Sequence, residues 1–90
     1  MPKFILGSAF HKLTGGKKQI EVESLILSDA LIELDLNYPG LKNKIIGDSN
    51  QILKYVSIFI GKEDVKYLDG LKTKMQPMDQ ISVLVAIAGG

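Results

Sequence analysis

The chain contains no cysteine, which rules out disulfides, thiolate metal sites and cysteine nucleophiles within it. It contains no arginine either, since every basic residue is a lysine. The side chain that reads guanine or phosphate in bidentate fashion is therefore missing. Neither sign of charge prevails: lysines number 11 and acidic residues 10, for a net charge of +1. That is not the basic footprint of a nucleic-acid binder, and no nucleic-acid partner is expected. Long apolar runs are absent too. Nothing approaches the roughly 20 residues that cross a bilayer, so no membrane partner is expected. Lys3 precedes Phe4-Ile5-Leu6, but Gly7-Ser8 ends that run far too early for the core of a signal peptide. A cytoplasmic protein is the expectation.

What is present is a chain of 90 residues, 46% of them hydrophobic. That length predicts one domain spanning residues 1–90. The apolar share is sufficient for a packed core and too high for a disordered tail, although a domain this small has a thin core margin. Phe4 to Phe10 reads as a strand, with Phe4, Leu6 and Ser8 alternating against Ile5, Gly7 and Ala9. Gly15-Gly16 predicts a hairpin connection, and Lys17 to Glu23 the returning strand, with Ile20 and Val22 on one face. Leu27, Ala30, Leu31, Leu34 and Tyr38 recur at three- and four-residue spacing, the stripe of a helix. Glu33 and Asp35 fall off that stripe. Either Ser24 or Ser28 suits the helix start. Tyr38-Pro39-Gly40 ends the helix, and Leu41 and Ile45 predict one more short turn.

Beyond a polar loop at Gly47 to Asn50, Tyr55 to Ile60 is the clearest strand, with Val56, Ile58 and Ile60 alternating against Tyr55, Ser57 and Phe59. Gly61 to Asp64 reads as a turn, Val65-Lys66-Tyr67 as a short strand and Asp69-Gly70 as another turn. Gln76-Pro77-Met78-Asp79 turns into a last strand, Ile81 to Ala88, which runs into Gly89-Gly90. Strand, strand, helix, strand, short strand, strand predicts an α+β fold: a mixed sheet of about four to five strands with one main helix packed on one face.

On residues alone, Gly89-Gly90 reads equally well as a loose chain end. Other stretches bear on it: Asn37-Tyr38-Pro39-Gly40-Leu41, Tyr55-Val56-Ser57-Ile58-Phe59-Ile60, Gly61-Lys62-Glu63-Asp64-Val65-Lys66-Tyr67-Leu68-Asp69-Gly70-Leu71 and Ala86-Ile87-Ala88-Gly89-Gly90. With these the chain resembles the sulfur carriers typified by the small subunit of molybdopterin synthase (MoaD) and its thiamine-pathway relative (ThiS). There the same stretches read as a YPGL helix end, a YVNVFVNGEDVRFLDGL-like strand and turn, and a final AVAGG. Leu13-Thr14-Gly15-Gly16-Lys17-Lys18 is similar to the branch of these carriers that serves cysteine biosynthesis. The resemblance spans the chain and is specific from residue 37 onward.

The resemblance implies a ubiquitin-like β-grasp fold with a flexible C-terminal tail, residues 87–90. It implies that Gly90 is adenylated by a ubiquitin-activating-like partner enzyme and converted to a thiocarboxylate, with Ala88, Gly89 and Gly90 entering the partner's active site. The chain itself then needs no catalytic residue and no bound cofactor; ATP and magnesium are used by the activating partner. The sulfur goes to an acceptor enzyme such as the molybdopterin synthase large subunit or cysteine synthase, and the second half of the chain points to the molybdopterin type first. The alternative destiny of the same Gly90 is an isopeptide on a target lysine, as in a ubiquitin-like modifier. A plain interaction module is the third reading.

Three positions depart from the family pattern. Ser57 stands where asparagine is frequent. Val85 stands where many relatives carry proline, which predicts that the last strand pairs further along its neighbour. Pro77-Met78 replaces the usual Asp-Gly, which predicts a type I turn with no positive φ at Met78. Phe59 lies opposite Val56, Ile58 and Ile60, and Leu84 lies out of phase with Val83 and Val85. Both are thus placed on the outer sheet surface, as a docking patch for the activating enzyme and the sulfur acceptor. No metal site is expected. His11 is alone and reads as solvated, Glu63-Asp64 as a solvent-facing turn, Gly15-Gly16-Lys17 lacks phosphate-loop spacing, and Lys42, Lys44, Lys72 and Lys74 read as a solvated face.

Overall fold

The computed structural model describes residues 1–86. Five strands form one sheet in the order β2-β1-β5-β3-β4. They are β1 (Lys3–Leu6), β2 (Gln19–Glu21), β3 (Val56–Ile60), β4 (Glu63–Asp64) and β5 (Gln80–Val85), with one α-helix, α1 (Leu27–Asn37). The central strand, β5, runs parallel to β1, and the other pairs are antiparallel. Alternation then decides which side chains enter the core. Phe4 and Leu6 of β1, Ile81 and Val83 of β5, and Val56 and Ile58 of β3 are all buried in one cluster with Leu27, Ala30, Leu31 and Leu34 of α1. This is the predicted α+β arrangement, with one helix across one face of a five-stranded mixed sheet.

The start of the helix is set by a contact from elsewhere, its end by local residues. Neither Ser24 nor Ser28 caps α1. Ile26 is its N-cap residue and offers no side-chain bond, while Leu27 N–H donates to Thr73 O at 3.0 Å. A side-chain cap is worth about 1 kcal/mol, whereas burying one Leu or Ile is worth about 1.5–3 kcal/mol. The helix therefore begins where its apolar stripe meets the sheet, and the 73–75 segment takes over the cap's role. At the other end Gly40 has φ 96°, a left-handed conformation that glycine adopts without penalty. Asp35 Oδ1 accepts from Gly40 N–H and Lys42 N–H, both at 3.1 Å. Leu41 is thereby folded back into the core, and Lys42–Lys44 forms the expected short turn, a 3-10 helix.

Two expected strands are corrected. The strand from Phe4 ends at Leu6, and Ser8–Phe10 is a 3-10 turn. Phe10 N–H donates to Gly7 O at 3.1 Å, and the turn delivers Phe10 to full burial, a larger gain than continuing an exposed strand. Val65–Tyr67 is likewise a 3-10 turn and not a strand. Asp64 carries its side chain to Lys66 N–H at 3.0 Å, a local bond that competes with a sheet ladder. The fifth strand comes instead from Glu63–Asp64, two residues that had read as turn.

The hairpin connection between β1 and β2 forms as expected. Gly15 and Gly16 both have positive φ, at 64° and 90°. Buried Thr14 holds that loop through its hydroxyl, which donates to Lys17 O at 2.7 Å. At the other connection, Met78 is absent from the residues with positive φ, as the type I reading required. Asp79 N–H donates to Gln76 O at 3.0 Å, and Gln76 N–H to Asp79 Oδ2 at 2.7 Å. The last strand, expected over Ile81 to Ala88, is described as Gln80–Val85. Ile87 and Ala88, and with them the expected flexible tail of residues 87–90, lie outside the described residues.

Candidate functional site

The site is the place where β5 leaves the sheet. On its β1 side the last backbone bond is Gly7 N–H to Val83 O at 3.0 Å. A side chain at Gly7 would bring its Cβ to 3.3 Å from that same oxygen, so glycine lets the chain turn away there. On its β3 side pairing runs further. Val85 is matched with Val56, and Ala86 N–H then donates to Tyr55 O at 2.8 Å. The last strand thus outruns one neighbour and stays tied to the other.

Val85 does pair, but its N–H is not the reason. In an antiparallel ladder the groups facing one neighbour alternate. With Ala86 N–H on Tyr55, those of Leu84 and Ala86 face β3 and that of Val85 faces away. A proline at position 85 would therefore forfeit no bond to β3. The serine at another departure, Ser57, stands directly opposite Leu84 on the outer face.

Beside the exit lies a small groove of about 190 Å³, lined by Ala9, Phe10, Asn43, Lys44, Tyr55 and Val85. Lys44 Nζ donates to Ala9 O at 3.1 Å, placing an ammonium at the groove's rim. His11 is near the same end of β1 and is not the solvated side chain expected. It is half-buried, and its Nε2 lies 3.0 Å from Leu6 O. A carbonyl oxygen only accepts, so Nε2 carries the proton in that bond. Among the described residues no group of three or more potential ligands converges on a metal position.

Phe59 and Leu84 share the outer sheet face. Phe59 is paired with Ser82 and Leu84 with Ser57, so all four point away from α1. Leu84 is 49% exposed, while Phe59 is half-buried. Gly89 and Gly90, with Ala88, lie outside the described residues.

Glu33, off the apolar stripe, has a role that periodicity alone does not reveal. Its carboxylate accepts from Glu23 N–H at 2.9 Å, from Ser24 N–H at 3.0 Å and from the Ser24 hydroxyl at 2.8 Å. Burial raises its pKa, and the donors from Glu23 and Ser24 outweigh that, holding it below the ordinary 4.5. The loop between β2 and α1 is thereby fastened to the middle of the helix. The available signal was an acidic residue facing a loop with free N–H groups.

The family model described as the ThiS family matches residues 7–90. The chain belongs to that family. The sulfur carrier protein CysO of Mycobacterium tuberculosis is 30% identical over 79 residues, covering 86% of this chain and 85% of that one. The small archaeal modifier protein 3 of Haloferax volcanii is 31% identical over 86 residues, covering 92% and 91%. A chain in the crystal structure of the Amycolatopsis orientalis BexX/CysO complex superposes with a TM-score of 0.94 over all of both chains, at 20% identity. That last likeness is one of fold, and it identifies the ubiquitin-like β-grasp. With its ThiS-family and CysO relationships, this chain is a member of the sulfur-carrier proteins, a carrier and not a catalyst. No helix among the described residues is long and apolar enough to cross a membrane.

Proposed function

We propose that the chain carries sulfur as a thiocarboxylate on Gly90. The observation that carries this reading is the family match, which runs through Gly90 itself. Gly90 is the fourth residue past Ala86, which makes the last described backbone bond, a reach of about 14 Å at full extension. That length suits entry into a partner's active site while the folded body stays outside.

A carboxylate is a poor electrophile. An adenylating partner using ATP and magnesium joins the Gly90 carboxylate to the α-phosphate and releases pyrophosphate. Hydrosulfide then attacks the acyl carbon. The C–S bond forms, the bond from carbon to the phosphate oxygen breaks, and AMP leaves with that electron pair. The thiocarboxylate sulfur is the nucleophile passed to the acceptor. Two glycines suit a narrow channel because they carry no side chain to obstruct it. Phe59 and Leu84 supply the docking patch for the activating enzyme and the acceptor. The presence of CysO in a complex with BexX supports the idea that such carriers work in partnership.

The acceptor is a cysteine synthase in preference to the molybdopterin synthase large subunit. CysO among the relatives and the Thr14-Gly15-Gly16 segment both favour it. A second reading, conjugation of Gly90 to target lysines, is favoured by the likeness to small archaeal modifier protein 3. One experiment separates them: intact-protein mass spectrometry after incubation with the cognate activating enzyme, ATP and sulfide. A gain equal to exchanging one oxygen for sulfur supports the carrier. Lysine-linked adducts on other proteins in extract support the modifier. Deleting Gly90 should abolish both, and activity that survives the deletion would sink this site.

A further inference from the structure

A second surface lies on the helix, away from the strand exit. Asp29, Ile32, Glu33 and Leu36 recur at three- and four-residue spacing along α1, on the side opposite its buried stripe. Ile32 is 47% and Leu36 79% exposed. Together with Met1, Glu23 and Ser24 they line a shallow depression of about 710 Å³. Its lining mixes the apolar side chains of Met1, Ile32 and Leu36 with three carboxylates, those of Glu23, Asp29 and Glu33; no lysine is among them. The surrounding sequence is biased in the same way. Between Lys18 and Lys42 there is no basic residue, while five of the chain's 10 acidic residues fall there: Glu21, Glu23, Asp29, Glu33 and Asp35.

The position of this surface matters as much as its charge. Met1 precedes β1, and Lys3 is aligned with Gln80 at the start of β5. The depression therefore sits at the end of β5 remote from Ala86, and on the helix layer, whereas Phe59 and Leu84 face out of the sheet layer. A protein seated here leaves the strand exit and the outer sheet face open.

We propose that the outer face of α1 is a second docking surface, for a protein segment that presents an apolar anchor flanked by lysine or arginine, bound independently of the enzymes that handle Gly90. Charge complementarity selects this occupant. A second copy packed face to face would set three carboxylates against three. Exposed Ile32 and Leu36 supply an anchor site, and the carboxylates beside them disfavour acidic partners.

The test is an NMR titration of the full chain with a synthetic amphipathic peptide, leucines on one face and lysines on the other. A peptide of the same pattern with glutamate in place of lysine is the control. Amide shifts confined to residues 23–37 are expected with the lysine peptide, weakening as salt is added. The exposed pair Ile32→Ser/Leu36→Ser should weaken binding about tenfold or more while circular dichroism is unchanged. Glu23→Lys/Asp29→Lys should do the same, and neither variant should slow adenylation by the activating enzyme. Equal binding of the glutamate peptide would overturn the proposal, as would shifts centred on Phe59 and Leu84, or self-association by light scattering without peptide. Loss of adenylation in the serine variant would merge this face with the tail's own interface. Binding is read without activation, so a failure of the thiocarboxylate reading leaves this result standing.

Discussion

Ala86 donates its backbone N–H to the carbonyl of Tyr55 at 2.8 Å, one residue past the final strand pair of Val56 with Val85. This is the last described point at which the folded body holds the segment leading to Gly90. Proline at 86 removes the donor, while proline at 85 removes an N–H that faces away from β3. Ala86→Pro should therefore lower stability by about 1 kcal/mol and slow thiocarboxylate formation, whereas Val85→Pro should leave the Ala86 bond and the rate intact. Amide exchange at Ala86 and Leu84 in the Val85→Pro variant, with single-turnover mass spectrometry on both, tests the pair. Equal losses in both would mean that general strand rigidity matters and not this bond.

Phe59 and Leu84 share one face, and Ile58 between Ser57 and Phe59 points to the other. Phe59→Ala should weaken binding to the activating enzyme by about 1–2 kcal/mol with the fold retained, and Leu84→Asp should do likewise. Ile58→Ala, a buried truncation, should instead cost about 2–5 kcal/mol of folding stability. Calorimetric titration against the enzyme, alongside urea unfolding, separates the two effects. Unchanged binding by Phe59→Ala would remove the sheet face from the docking surface.

Glu33 gives the molecule an acid-sensitive fastening. Its folded-state pKa is lowered, so its contribution is fully present above the ordinary 4.5 and fades as pH falls through the folded value. Glu33→Gln keeps the size but weakens the acceptor for Glu23 and Ser24, and should cost about 1 kcal/mol near neutral pH. The difference between parent and variant should shrink as pH drops below 4.5. Denaturant midpoints across that range measure it, and a pH-independent gap would rule out the ionised carboxylate as the cause.

Much of this was legible because periodicity is local. The stripe Leu27, Ala30, Leu31 and Leu34 predicts the inward face of α1, and the alternation of Val56, Ile58 and Ile60 the inward face of β3. For Ala86 to Gly90 the family resemblance supplied only a candidate chemical end, and Ile87 to Gly90 lie outside the described residues. What escaped was set by particular hydrogen-bond partners that periodicity does not show, one of them distant in sequence and two of them local. Ser24 and Ser28 both had the chemistry of a cap, yet Thr73 O stands at the helix start. Val65-Lys66-Tyr67 had strand propensity, yet Asp64 captured Lys66 N–H. His11 had no neighbour in sequence, yet Leu6 O lies within its reach.

The amino-acid sequence by itself determined the apolar faces, the helix end at Tyr38-Pro39-Gly40 and the pair of glycines that close the matched segment. These depend on side-chain spacing and allowed φ, which a residue carries with it. Only the tertiary structure decided that β1 lies parallel beside β5, that β3 and not β1 keeps hold of Ala86, and that Glu33 fastens a loop. It also decided that Asp29 and Glu33 of α1 line one depression with Glu23, Ile32 and Leu36, on the layer opposite Phe59 and Leu84. The physical reason is that strand pairing and hydrogen bonds join groups far apart in the chain, and burial of the shared core selects which of them meet.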